Sequence, residues 1–340
     1  MNYEDFIEEV RRGILSHLSA DFSGAEVKIT PNHKVNYDTH SLTVVSPNLE
    51  DKVAPSMDLK MSYERYKKSQ DMDEVLDQMA NMIEEAYKDI DRRPELANLE
   101  LNKENVFMQL INTDSNQELL AESPHRSFHD MSLIYRMKMG LDDDGLMSVK
   151  ITNDLMESMG LTEQELFDLA AKQTPEMLPP KIQSMNDVLL GFMSDTGLDD
   201  LDGEELLESM DMGLPMMVVS NQYGIHGATN MVFDNVLHDV AEKIGDDIYV
   251  IPSSTHEFLA ISQSLGEPEE IQEMVSEINQ NTVKEQDRLS NQVFAYDRTA
   301  RELTVAAASA VKGVRDTDYM SKVAERSEYM FDMPQPSRAR

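Results

Sequence analysis

The segment VIPSSTHEFLAI, Val250 to Ile261, sets Ser253, Ser254, Thr255, His256 and Glu257 inside a run that otherwise has the apolar pattern of a buried strand. Those residue types suit two chemistries. A serine and a histidine two positions apart share a strand face, within reach of each other as nucleophile and base. A His-Glu pair also begins the H-E-x-x-H metalloprotease motif. The second chemistry fails on spacing, because Ala260 stands where the second histidine belongs. The first lacks a G-x-S-x-G turn and any evident third group to orient the base. The catalytic candidates are therefore His256, Glu257 and Ser254. The competing account is a strand end whose hydroxyls satisfy freed backbone groups, with a buried histidine oriented by a local carboxylate.

Two further stretches have functional spacing. In NQYGIHGATN, residues 221–230, glycines between an expected strand and helix can aim backbone amides at an anion. It matches neither G-x-G-x-x-G nor G-x-x-x-x-G-K-[ST], and turn geometry alone explains Gly224 and Gly227. Asn221, His226 and Gly227 are the binding candidates there. In SPHRSFHD, His125 and His129 stand four apart with Asp130 adjacent, the spacing of two ligands on one helix. Pro124 and the strand that follows argue against a helix, which leaves His125 and Asp130 as binding candidates. The acidic SDTGLDDLDGEELLESMDMG approaches a calcium loop. With Gly203 sixth, Asp200 and Asp202 fit, but Leu198 and Ser209 occupy the first and twelfth positions. No metal and no cofactor is expected.

These candidates need elements to hold them. Phe6, Ile7, Val10, Ile14 and Leu18 define an amphipathic first helix, and residues 25–46 change to strand period around YDTHS, which reads as the turn of a hairpin. Residues 71–90 return to helical spacing and stop at Arg93-Pro94. Met131 to Met139 alternates as a half-buried strand, and GLDDDG turns it into the return strand LMSVKI. In LTEQEL, Thr162 and Glu165 form a capping box that opens a helix over 162–172. Beyond residue 214 the order is strand 215–220, helix 228–244, strands 248–251 and 257–261, helix 268–281 and a hairpin over 292–307. The expected fold is α+β, two mixed α/β units with antiparallel hairpins and packed amphipathic helices. The expected divisions are an N-terminal unit over 1–195, an acidic linker over 196–213, a C-terminal unit over 214–308 and a partly disordered tail over 309–340.

Composition excludes several classes. The 340 residues contain no cysteine, which removes disulfides, thiolate metal sites and cysteine nucleophiles. The 64 acids against 30 bases give a net charge of −34, which argues against direct binding to nucleic acid or anionic membranes. No Lys or Arg occurs between Ile182 and Glu242. No apolar run reaches the roughly 20 residues of a membrane span, and the acids of MNYEDFIEEV argue against a secretory signal, so a cytoplasmic setting is expected. The 25 methionines, such as Met72, Met79 and Met82 in one helix and Met131, Met137 and Met139 in one strand, have the spacing of core filler.

The strings MVVSNQYGIHGATNMVFDNVLHDVA, IYVIPSSTHEFLAI, MVSEINQNTVKEQDRLSNQVFAYDR and LINTDSNQELLAESPHRSFHDMSLIYRM occur here in an order that resembles an uncharacterised domain-of-unknown-function family of Firmicutes, largely gut Clostridia. The likeness runs over most of residues 1–306. Its recurrent motifs fall on Pro124, His125 and Asp130, on Asn221, Gly227 and Ala228, on Pro252, Ser253, Ser254, His256 and Glu257, and on Leu289 and Ser290. The resemblance implies no activity. It does imply a genomic association with mobile elements. The expected function is a non-enzymatic factor that binds or regulates a protein partner. The alternatives are a hydrolase or metal-dependent enzyme centred on His256 and Glu257 with His226 or His125, and an acidic decoy that imitates nucleic acid.

Overall fold

A computed structural model describes residues 1–49, 54–92, 102–142, 145–195, 216–252 and 254–306. The acidic stretch 196–213 and the tail 309–340 lie outside them. The chain divides into two compact units, Met1–Leu101 and Asn102–Arg340, so the boundary expected at residue 195 is not the observed one. Among the described residues the two units hold three antiparallel sheets and the helices packed on them, an α+β fold.

In the first unit, α1 (Tyr3–Gly13) begins where Asn2 Oδ1 accepts the Asp5 amide at 2.8 Å, and it buries Phe6, Ile7 and Val10. β1 (Glu26–Lys34) and β2 (Tyr37–Val45) pair in register from Glu26–Val45 to Lys34–Tyr37. The turn is thus Val35-Asn36, and YDTHS lies inside β2 rather than at the bend. Asn36 takes φ +64°, a conformation asparagine tolerates better than other side-chain-bearing residues, and that puts the turn immediately before the polar run. β3 (Ser56–Asp58) adds to β2. Asp58 then caps α2 (Leu59–Ser69), and α3 (Met72–Arg92) follows. Phe6, Val10, Leu42, Val44, Val75 and Met79 build the core. Met82 does not join it. It falls at the margin of the apolar stripe and is 44% exposed, contrary to its expected role as filler.

The second unit contains two sheets. β4 (Val106–Asn112), β5 (His125–Phe128), β6 (Met131–Asp142) and β7 (Gly145–Lys150) form one, with β6 central. β8 (Pro180–Ser184), β9 (Met217–Asn221), β10 (Ile248–Ile251), β11 (Phe258–Ser262), β12 (Phe294–Asp297) and β13 (Glu302–Val305) form the other, ordered β13-β12-β10-β11-β9-β8. Because β8 is an edge strand of the second sheet, residues on both sides of 196–213 belong to one body. The helices are α4 (Gln117–Ala121), α5 (Asn153–Ser158), α6 (Glu163–Met177), α7 (Met185–Asp195), α8 (Asp234–Ile244) and α9 (Pro268–Asn281). The capping box of α6 forms through both its bonds, and the helix runs five residues past the expected end at 172, with Pro175 inside its last turn.

Every residue of IYVI in β10 and FLAIS in β11 is buried, because this sheet is covered on both faces. Val250, Ala260, Phe258 and Phe294 face a core shared with Met108, Leu110, Leu133, Tyr135 and Leu237. Tyr249, Ile251, Leu259 and Ile261 face a second core with Met185, Ile271 and Val275 from α7 and α9. β4 is an edge strand, and its outward amides need partners. Side chains provide them: Val106 N–H donates to Gln173 Oε1 at 3.0 Å, Met108 N–H to Thr174 Oγ1 at 2.9 Å and Leu110 N–H to Thr229 Oγ1 at 3.1 Å. Among the described residues no helix is long and apolar enough to cross a membrane. Replacing Thr229 with the isosteric valine leaves the Leu110 amide buried without an acceptor. The expected loss is about 1–3 kcal/mol, read from urea unfolding.

Candidate functional site

Asn221, at the end of β9, is 2% exposed and builds the turn that follows it. Its Nδ2 donates to the Ile225 carbonyl at 2.6 Å, while its Oδ1 accepts the Tyr223 amide at 2.9 Å and the Ile225 amide at 3.4 Å. The chain then enters the left-handed region at His226, φ +57°, and winds into a 3-10 turn over Gly227–Val232. Asn230 Nδ2 ties this turn to the Ser220 and Gly227 carbonyls at 2.8 and 3.0 Å. Gly227 sits where two backbones cross. A Cβ there would stand 2.3 Å from both the His256 carbonyl oxygen and Ser220 Oγ, and those two atoms are themselves hydrogen-bonded at 2.7 Å.

The loop on the other side of the crossing is 252–257, which joins β10 to β11. It is held from a third segment: Thr255 N–H donates to the Asp287 carbonyl at 2.8 Å, Ser290 N–H to the Pro252 carbonyl at 2.9 Å, and Ser254 forms an isolated bridge with Arg288. Ala228 N–H reaches the Thr255 carbonyl at 3.3 Å. The third segment is anchored in turn to the first sheet. Ser290 Oγ donates to Asp130 Oδ2 at 2.7 Å and Asn112 Nδ2 donates to the Leu289 carbonyl at 2.8 Å. One connected set of bonds therefore runs from β4 and the β5–β6 turn through 287–290 and 252–257 to 226–230.

His256 lies at its centre. Its Nδ1 accepts the His226 amide at 3.4 Å, a long bond, and its Nε2 stands 3.3 Å from Asp287 Oδ1. The neutral tautomer with a proton on Nε2 satisfies both contacts. Ser254 Oγ takes the His256 backbone amide at 3.0 Å, not its ring, and Ser254 is 3% exposed. The His226 ring stacks on that of His256 at 6.1 Å and on Phe107 at 6.3 Å.

Residues 3–298 match the model of a family described as DUF5688, of unknown function. The chain belongs to that family. No curated protein and no solved structure matches this DUF5688 chain.

Electrostatically, burial in this layer disfavours charge of either sign. Arg136, opposite Phe107 in the β4–β6 register, donates through Nε and Nη2 to Ser148 Oγ and the Ser148 carbonyl at 3.0 and 3.2 Å, and through Nη1 to Gln109 Oε1 at 3.5 Å. It has no carboxylate partner among the described residues, and burial pulls its pKa down to about 10. Burial, then Arg136, then His256 push His226 well below the ordinary 6.5, so its ring is neutral, and its buried Nδ1 has no partner among the described residues. Burial raises Glu257, against the pull of His256 and Ser254. Burial likewise raises Asp130, against its bond from Ser290, and its Oδ1 is buried without a partner.

The fold brings Ser254, His256, Asn221, His226 and Gly227 together. His125 lies on β5 opposite Ile134, its Nδ1 hydrogen-bonded to the Ser123 carbonyl at 2.9 Å, and Asp130 binds Ser290. Among the described residues no three His, Asp or Glu side chains gather as a metal site requires. Sequence reasoning missed Asp287, Arg136, Phe107, Gln109, Ser220 and Asn230. Asp287 had a signal, since it lies two residues before the recurrent Leu289 and Ser290. Arg136 had none, because it occupied the polar side of an alternating strand.

Two outcomes follow from this geometry. Gly227→Ala forces backbone apart at the crossing and is expected to cost at least about 3 kcal/mol, the upper end of over-packing, in a denaturant melt. His226 held neutral by burial takes no proton in the fold, whereas unfolded histidine does below 6.5. Its contribution is thus complete above that value and lost as pH falls through it. Asp130 and Glu257, whose values are raised, act in the opposite sense and cost stability above the ordinary carboxylate range. His226→Phe keeps a stacking ring and removes the titration. Its stability relative to the parent should therefore rise as pH is lowered from about 7 to about 5.

Proposed function

We propose that this DUF5688 chain is a cytoplasmic, non-enzymatic factor that binds or regulates a protein partner. The observation that supports it is how the chemistry-bearing side chains of 252–257 are spent. A general base needs a ring nitrogen open to the proton it takes. In His256, Nδ1 receives a backbone amide and Nε2 faces Asp287. A serine nucleophile needs its base within reach and access to substrate. Ser254 Oγ instead receives the His256 amide, in a residue almost wholly buried. These groups hold three loops together, a structural use of residues that in other settings do chemistry. The link to mobile elements belongs to the same reading.

One observation favours the hydrolase reading: His226 and His256 stack beside Asp287, so histidine and carboxylate from separate segments do converge. The net charge of −34 favours a decoy for a basic, nucleic-acid-binding partner. The deciding measurement pairs His256→Ala with the parent in thermal melts and in turnover of ester, phosphoester and peptide substrates. The expected result is a loss of about 1–3 kcal/mol in the variant and no turnover above buffer in either protein. Turnover that falls about 100-fold in His256→Ala with an unchanged melt would establish the hydrolase instead. A basic partner released at high salt would establish the decoy.

A further inference from the structure

The first unit has an opening that owes nothing to the loops of the second. Between β3, α2 and α3 lies a cavity of about 280 Å³ lined by Met57, Met61, Arg65, Met82, Ile83 and Ala86. Met61 and Met82 are 64% and 44% exposed. Thioether side chains are flexible and polarisable and adapt to an apolar guest. Arg65 is exposed at the same place, and its Nη1 rests 3.3 Å from Met82 Sδ, a weak acceptor. In a chain with 64 acids, this arginine has no carboxylate partner among the described residues. The acid nearest the cavity, Asp58, is already engaged by Lys34 at 2.5 Å, by Thr39 Oγ1 at 2.6 Å and by the Lys60 amide at 2.8 Å. Among the described residues the opening therefore presents an apolar wall and a cation without a carboxylate, with its own carboxylate neutralised.

We propose that this cavity binds an unbranched aliphatic carboxylate, its chain against Met57, Met61, Met82 and Ile83 and its carboxylate on Arg65. The size selects the occupant. A volume near 280 Å³ lies at the small end of ligand pockets and suits one alkyl chain. A protein partner would cover about 800 Å² of surface. The carboxylate displaces a thioether from Arg65 and supplies a charge-assisted bond in its place.

The test is a titration of the full chain, labelled with ¹³C at its methionine methyls, with sodium hexanoate, heptanoate and octanoate. The expected result is that the methyls of Met57, Met61 and Met82 shift, out of the 25, and that each added methylene tightens binding about fourfold. Arg65→Gln is expected to weaken octanoate about two- to fivefold with an unchanged melt, because the side chain is exposed. Met82→Glu, which sets a carboxylate in the opening, is expected to abolish the shifts. Shifts spread over all the methionines, no shift at all, or octanol binding as tightly as octanoate each overturn the proposal. Tighter binding of a leucine-terminated peptide than of octanoate overturns the free carboxylate as occupant.

Discussion

The second unit depends on the missing side chain of Gly227. Two loops from different strands cross there with no room for a methyl group between them, and the bond from Ser220 Oγ to the His256 carbonyl closes the crossing. Everything nearby follows from that contact. It brings the His226 amide to the His256 ring, which points the ring at Asp287, and it places the Thr255 carbonyl where Ala228 can use it. Backbone groups at such a crossing cannot reach water, so each needs a partner in the protein. The short polar side chains of Asn221, Ser220, Asn230 and Ser254 provide those partners.

The burial of Arg136 has a different cause. It lies in a row with Phe107 on β4 and Lys150 on β7, across the β6 register, on the face of the first sheet turned away from the shared core. Removing a guanidinium from water without a counter-ion is costly unless its donors are used. Serine and glutamine oxygens use them here, at a depressed pKa, and burial, helped by the charge of Arg136, keeps His226 neutral. Within a chain carrying 64 acids, the described residues give Arg136 only neutral oxygens as partners.

How much of this was legible in the sequence varies with the range of the interaction. The capping box at Thr162 and Glu165 spans three residues and could be read directly, and so could the alternation of Met131 to Met139. The β1–β2 hairpin was legible as a pair, but its turn was misplaced. Polarity drew attention to YDTHS, while the bend was decided by which residue could take positive φ, Asn36. Methionine spacing in α3 marked Met79 and Met82 alike as core filler, but only Met79 is buried, because a stripe's margin depends on what packs beside it. The break in composition at 196–213 suggested a boundary. Strand pairing across it, β8 with β9, made one body of the two sides.

By itself the sequence determined the α+β class, the order of the strongly periodic elements and the exclusion of thiol chemistry, because local periodicity, capping and residue inventory carry those properties. It also determined that PSSTHE and NQYGIHGA were special, since runs of small and polar residues at strand ends require partners. Only the tertiary structure decided what those partners are. Asp287 lies 31 residues from His256 and Asp130 lies 160 from Ser290. Whether a histidine is a base or a clamp turns on which atoms occupy its two ring nitrogens. Contacts between segments distant in sequence set that, and no local pattern encodes it.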